Sequence, residues 1–109
     1  MPEDDPSWVM YKGKPWTRNA KMYAAMVNLV DREVGEVRNL LTELGLDKNT
    51  IVVLSGDNGA ARYFPDAQHP EGIFSPNVDP KTGIKFRGFK GQLYEGGLRV
   101  PCMSRSIIR

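Results

Sequence analysis

From about Thr17 to Leu44, apolar side chains recur at intervals of three and four residues: Tyr23, Met26, Val30, Val34, Val37, Leu41 and Leu44. That spacing puts them on one face of an α-helix, and Met22, Leu29 and Leu40 widen the stripe. Lys21, Asp31, Glu36, Arg38 and Glu43 fall on the opposite face. Gly45 follows the last apolar position, where a left-handed C-terminal cap favours glycine, and Leu46 can fold back on the final turn. The pattern predicts an amphipathic helix over about 17–44. Its apolar face needs a partner surface, for which a sheet is the natural choice.

The period then changes. After Asp47-Lys48-Asn49 the chain enters Thr50-Ile51-Val52-Val53-Leu54, a β-branched run without polar alternation. Such a run reads as a strand over about 50–55 that is buried on both faces. Helix, short turn and continuous apolar strand together mark an α/β fold. The strand breaks at Ser55-Gly56-Asp57-Asn58-Gly59. Residues 56–97 read as one long loop, since Pro65, Pro70, Gly72, Pro76, Pro80 and Gly83 interrupt any period. A second strand is expected over about 98–105, with Pro101 favouring an edge or a bulge. Residues 1–16 carry Pro2, Pro6 and Pro15 with Trp8 and Trp16, and read as an extended lead-in.

Composition adds exclusions. A chain of 109 residues holds one small domain, and 40% hydrophobic with 26% charged residues is ordinary for a globular protein. The net charge of +2, from 15 basic and 13 acidic residues spread along the chain, gives no footprint for nucleic acid or an anionic membrane. No apolar run approaches the roughly 20 residues that span a bilayer. With one cysteine, Cys102, no intrachain disulfide forms and no Cys-x-x-Cys pair suggests zinc. The start, Met1-Pro2-Glu3-Asp4-Asp5-Pro6, lacks the basic and apolar segments of a signal peptide, and the compartment stays open.

Two places offer chemistry. Asp57 and Asn58, side by side where a strand ends, present hard oxygen ligands of the kind calcium or magnesium takes. The same Asp-Asn-Gly sequence is also ordinary turn chemistry. Lys90 lies between Gly88 and Gly91, so its ammonium can reach an anionic oxygen; taken alone, a lysine there is far more often a solvated surface residue. Gly88-Phe89-Lys90-Gly91 is not a P-loop, because the required glycine-to-lysine spacing is absent. Glu95 and Arg99, four apart, can pair in a structural hinge.

The order of these motifs is more specific than any one of them. Tyr23-Ala24-Ala25-Met26, Asp31 and Gly35 precede Leu44-Gly45-Leu46 and Asn49-Thr50-Ile51-Val52-Val53, and Ser55-Gly56-Asp57-Asn58-Gly59 follows directly. Later comes Arg87-Gly88-Phe89-Lys90-Gly91-Gln92-Leu93-Tyr94-Glu95-Gly96-Gly97-Leu98-Arg99-Val100-Pro101. From about residue 20 to 105 this resembles the sulfatase family, arylsulfatase type, of the alkaline-phosphatase-like superfamily. The resemblance implies a segment of that superfamily's α/β sandwich: a long helix, a buried central strand and an active-site loop. It implies that Asp57 and Asn58 are metal ligands for Ca2+, that Lys90 contacts the sulfate group, and that the substrate is a sulfated small molecule or carbohydrate.

The departures are equally informative. Such enzymes use a formylglycine made from cysteine in a Cys-x-Pro-Ser-Arg motif, which this sequence lacks. Cys102-Met103-Ser104-Arg105 is one residue short of it and has no proline, so Cys102 is read as a small apolar strand residue and no catalytic residue is assigned. Asp4-Asp5 has no strand before it and is not taken as the family's first metal pair. The sole histidine, His69, sits in the punctuated loop and is read as a surface residue. The expectation is therefore a sulfuric ester hydrolase segment that is inactive by itself and binds calcium weakly or not at all. A phosphatase or phosphonate hydrolase of the same superfamily, and a non-catalytic module that folds alone, are the alternatives.

Overall fold

A computed structural model describes residues 3–63, 65–70, 72, 74 and 77–105. The expected loop at 56–97 is thus described except at 64, 71, 73, 75 and 76. The protein is α/β. Helix α1 (Pro6–Tyr11) and helix α2 (Arg18–Glu43) are followed by a 3-10 turn at Asp47–Asn49, strand β1 (Val52–Ser55), a one-turn helix α3 (Glu95–Leu98) and strand β2 (Cys102–Arg105). β1 and β2 pair as a two-stranded sheet. The chain divides into two compact units, 1–52 with 104–109, and 53–103.

In the first unit, α2 starts and stops as the sequence dictates. The Thr17 hydroxyl accepts from the Ala20 N–H at 3.4 Å, serving as N-cap. At the other end Gly45 adopts φ 68°, donating to the Thr42 carbonyl at 3.0 Å, while the Leu46 N–H reaches the Leu41 carbonyl at 2.8 Å. This pair of bonds is the Schellman motif, which satisfies carbonyls the helix leaves open.

The lead-in is not extended. Asp5 accepts from the Ser7 N–H at 2.8 Å and so caps α1, whose first residue is Pro6, where the missing N–H costs nothing. Tyr11 and Trp16 then stack with centroids 6.0 Å apart. Pro6, one of the prolines that argued against a packed element, in fact begins a helix.

α1 lies on α2 through small side chains. Ser7 and Ala25 are fully buried at this contact's core and Ala20 nearly so. The Arg32 guanidinium spans the two helices, reaching Asp5 Oδ2 at 3.3 Å and the Ser7 hydroxyl at 3.4 Å. It holds the Asp5 carboxyl below its ordinary value, chiefly by that bond and then by the Ser7 N–H. The expected apolar stripe is only partly covered: Met22, Leu29, Val34 and Leu41 are half-buried, while Met26, Val30, Val37, Leu40 and Leu44 are exposed. Alanine and serine let two helices approach more closely than branched side chains would, so the small-residue positions are the ones that are buried here.

β1 is also less buried than its composition suggests. Half-buried and exposed residues alternate along it, and Val53 is 62% exposed. A pair of strands has no layers with which to cover both faces, so the expectation of a doubly buried strand is corrected. β2 is exposed along its length, Cys102 included.

Gly35 lies within α2, where an added Cβ would meet nothing within 4 Å. Gly35→Ala should therefore raise the stability of the chain by about 0.5–1 kcal/mol in a denaturant melt. Because the Asp5 pKa is lowered on folding, its contribution is present above the ordinary carboxylate pKa and is lost as pH falls through the folded value. Amides of α1 should lose exchange protection on acidification below about pH 4, and Arg32→Met should bring that loss to neutral pH.

Candidate functional site

The second unit is held by backbone packed directly on backbone. The Gly59 N–H donates to the Gly97 carbonyl at 2.9 Å, the Lys90 N–H to the Ala60 carbonyl at 2.8 Å, and the Gly96 N–H to the Arg87 carbonyl at 2.8 Å. These three bonds bring the strand-end turn, the Lys90 turn and helix α3 into one cluster. The approach leaves no space for side chains. A Cβ on Gly59 would overlap the Gly96 carbonyl oxygen, one on Gly96 the Gly88 oxygen, and one on Gly97 the Gln92 oxygen. Gly88, at φ 80°, turns the chain tightly beneath Tyr94.

Side chains complete the frame. Asn77 donates from Nδ2 to the Gly88 carbonyl at 2.9 Å, and its own carbonyl accepts from the Phe86 N–H at 2.9 Å. Asp79 caps a turn by accepting from the Lys81 and Thr82 N–H groups at 2.8 and 3.0 Å, which holds its carboxyl below the ordinary value, with Arg99 adding to the effect. Arg99 reaches Glu95 at 2.6 Å and Asp79 at 3.2 Å. The Glu95 and Arg99 pair is thus formed, and it fastens α3 to the Asp79 turn.

The frame holds the candidate ligands on two turns that are hydrogen-bonded to each other. Asp57 is exposed and Asn58 half-buried on the bend after β1, and neither side chain has a hydrogen-bond or ion-pair partner among the described residues. Lys90 is half-buried, with Nζ 5.6 Å from the centroid of the Tyr63 ring and no carboxylate partner among the described residues. The Lys90–Ala60 bond sets this lysine two residues from Asn58 across the turn. A carboxylate and a carboxamide oxygen with no other partners suit a hard cation. They supply two ligands of the roughly six to eight calcium takes, and no cluster of three or more His, Cys, Asp or Glu is formed among the described residues.

His69 lies elsewhere in the loop. Its Nδ1 sits 3.1 Å from Asp66 Oδ1, which also accepts from the His69 N–H at 2.7 Å, and its ring meets Phe74 edge-on at 4.9 Å. It is half-buried and paired locally, within the loop. In the first unit, a cavity of about 100 Å³ is lined by residues including Arg38, Thr42, Asp47 and Arg105, none of them a candidate ligand. Asn77 and Tyr63 were not signalled by the sequence, because nothing between 60 and 87 has a period to register them.

The chain is α/β, with its strand-end turn and glycine-bound lysine turn hydrogen-bonded together; comparison with known proteins gives the family. The sulfatase family model matches residues 2–107. Mouse steryl-sulfatase is 39% identical over 83 residues, covering 76% of this chain and 12% of that protein. Mouse N-acetylgalactosamine-6-sulfatase is 35% identical over 82 residues, 75% of this chain and 14% of the relative. Endo-4-O-sulfatase of Bacteroides thetaiotaomicron is 44% identical over 71 residues, 64% and 14% of the two chains. The chain belongs to the sulfatase family. It spans about one seventh or less of the length of these relatives.

The glycine frame makes its own prediction. Gly59→Ala should destabilise the chain by roughly 2 kcal/mol or more, since backbone must yield to admit the methyl group. Gly13→Ala, where a Cβ meets nothing within 4 Å, should be neutral. Amide spectra should show dispersion lost around 56–60 and 87–99 in the first variant and kept in the second.

Proposed function

We propose that this segment supplies the metal ligands Asp57 and Asn58 and the sulfate ligand Lys90 of a sulfatase that hydrolyses sulfate esters. The observation that carries this is the 2.8 Å bond from the Lys90 N–H to the Ala60 carbonyl, which holds the ammonium-bearing turn against the turn bearing the two oxygen ligands. Asp57 and Asn58 would hold a Ca2+ ion together with ligands from outside this set. A bound divalent ion supplies charge that offsets the anionic sulfate. Lys90 contributes a second positive charge, orients a sulfate oxygen by donating hydrogen bonds, and favours the charge that develops during attack at sulfur.

The substrate is a sulfated small molecule or carbohydrate. Relatives named for a sterol sulfate and for sulfated N-acetylgalactosamine support that range without choosing within it. The exposed apolar stripe on α2 and the open faces of β1 support a segment of a larger sandwich, as does the low coverage of its relatives.

The test is a calcium titration of the chain followed by amide shifts. Weak, millimolar binding with changes confined to 56–60, abolished in Asp57→Ala, is expected from two ligands. Changes elsewhere that persist in Asp57→Ala would overturn the metal assignment. Incubated with an aryl sulfate and calcium, the chain should show no turnover above buffer; measurable turnover would show that the nucleophile lies within these residues.

A further inference from the structure

The Lys90 turn and the stretch just after Gly59 are tied twice more, and reciprocally. The Arg62 guanidinium lies over the Phe89 ring, 4.7 Å from its centroid, while Lys90 Nζ lies over the Tyr63 ring at 5.6 Å. Each segment contributes one cation and one aromatic ring. Together with the Lys90–Ala60 bond, this makes three contacts between 60–63 and 89–90.

A lysine side chain has four rotatable carbons, and a backbone bond alone does not fix where its ammonium points. An aromatic face does so, because its negative quadrupole attracts a cation within about 6 Å. Tyr63 is 62% exposed, so its ring is presented at the surface where a ligand of Lys90 would arrive. We infer that Tyr63 is a positioning residue of the sulfate site. Its ring backs the Lys90 ammonium from behind and leaves the opposite side of that ammonium to an anionic sulfate oxygen. The arrangement is ring, ammonium and sulfate in series, in which the ring fixes the cation without neutralising it. A carboxylate in the same place would compete with the sulfate.

This inference rests on Lys90 being the sulfate ligand, and the experiment separates the two. The full chain is labelled at its lysines, and the Lys90 side-chain signals are followed alone and in titration with sodium sulfate, against chloride at equal ionic strength. In the parent, ring current should set the Lys90 ε-methylene protons upfield of the other lysines. Tyr63→Phe should keep that shift and the sulfate affinity. Tyr63→Leu should abolish the shift and weaken sulfate binding roughly threefold, about 0.7 kcal/mol at 1.4 kcal/mol per tenfold. Lys90→Met should lose binding altogether.

If Tyr63→Leu loses its dispersed spectrum, pentafluorophenylalanine at position 63 decides the matter, since it keeps the ring's size and reverses its quadrupole. Binding weakened there roughly threefold relative to Tyr63→Phe supports the inference; binding equal to that of Tyr63→Phe overturns it. Lys90 signals and affinity unchanged in Tyr63→Leu would also overturn it, while leaving Lys90 as the ligand if Lys90→Met still fails to bind. Sulfate affinity unchanged in Lys90→Met, or a parent chain whose Lys90 ignores sulfate, would remove the sulfate assignment itself.

Discussion

Everything in the candidate site depends on the chain being able to pack backbone against backbone where Gly59 meets Gly96 and Gly97. Each of those contacts excludes even one methyl group. Because the segments approach so closely, the Gly59, Lys90 and Gly96 N–H groups reach carbonyls on other segments, so that three parts of the chain become one rigid frame. Hydrogen bonds in such a frame are individually modest in water, and their value lies in fixing register. The frame leaves Asp57 and Asn58 without competing partners and ties the Lys90 backbone to Ala60, two residues further on from Asn58. Rigid backbone thus keeps these side chains from satisfying one another without extra side chains to hold them apart.

The first unit solves a different problem with the same economy. α1 and α2 meet through Ser7, Ala20 and Ala25, and Arg32 bridges them to Asp5. The C-terminal end of α2 was legible from residue type, since Gly45 is a capping residue whose role follows from backbone geometry. The helical start at Pro6 was not, because proline is as much at home in an extended lead-in as at a first helical position. Periodicity showed which face of α2 is apolar. It did not show how far that face is covered: the most buried positions of α2 are the small residues Ala20 and Ala25, while the larger apolar ones are half-buried or exposed.

For the site, the sequence made Asp57, Asn58 and Lys90 candidates through their order along the chain, and the structure brings their backbones together. The cross-ties from Tyr63, Arg62 and Asn77 were invisible beforehand: each lies in a stretch broken by proline and glycine, where residue type does not specify a distant partner. Gly59, Gly96 and Gly97 read from the sequence as turn or hinge residues, although their decisive property is the space they leave. Close approach is a property of two segments, and one segment's sequence does not display it.

Site-resolved hydrogen exchange of the intact chain tests this account most directly. The Gly59, Lys90 and Gly96 amides should be protected to a similar degree and open together, as members of one cooperative frame. Rapid exchange at Lys90 while Gly59 and Gly96 stay protected would show that the lysine turn is not held against the Asp57–Asn58 bend, and would contradict it.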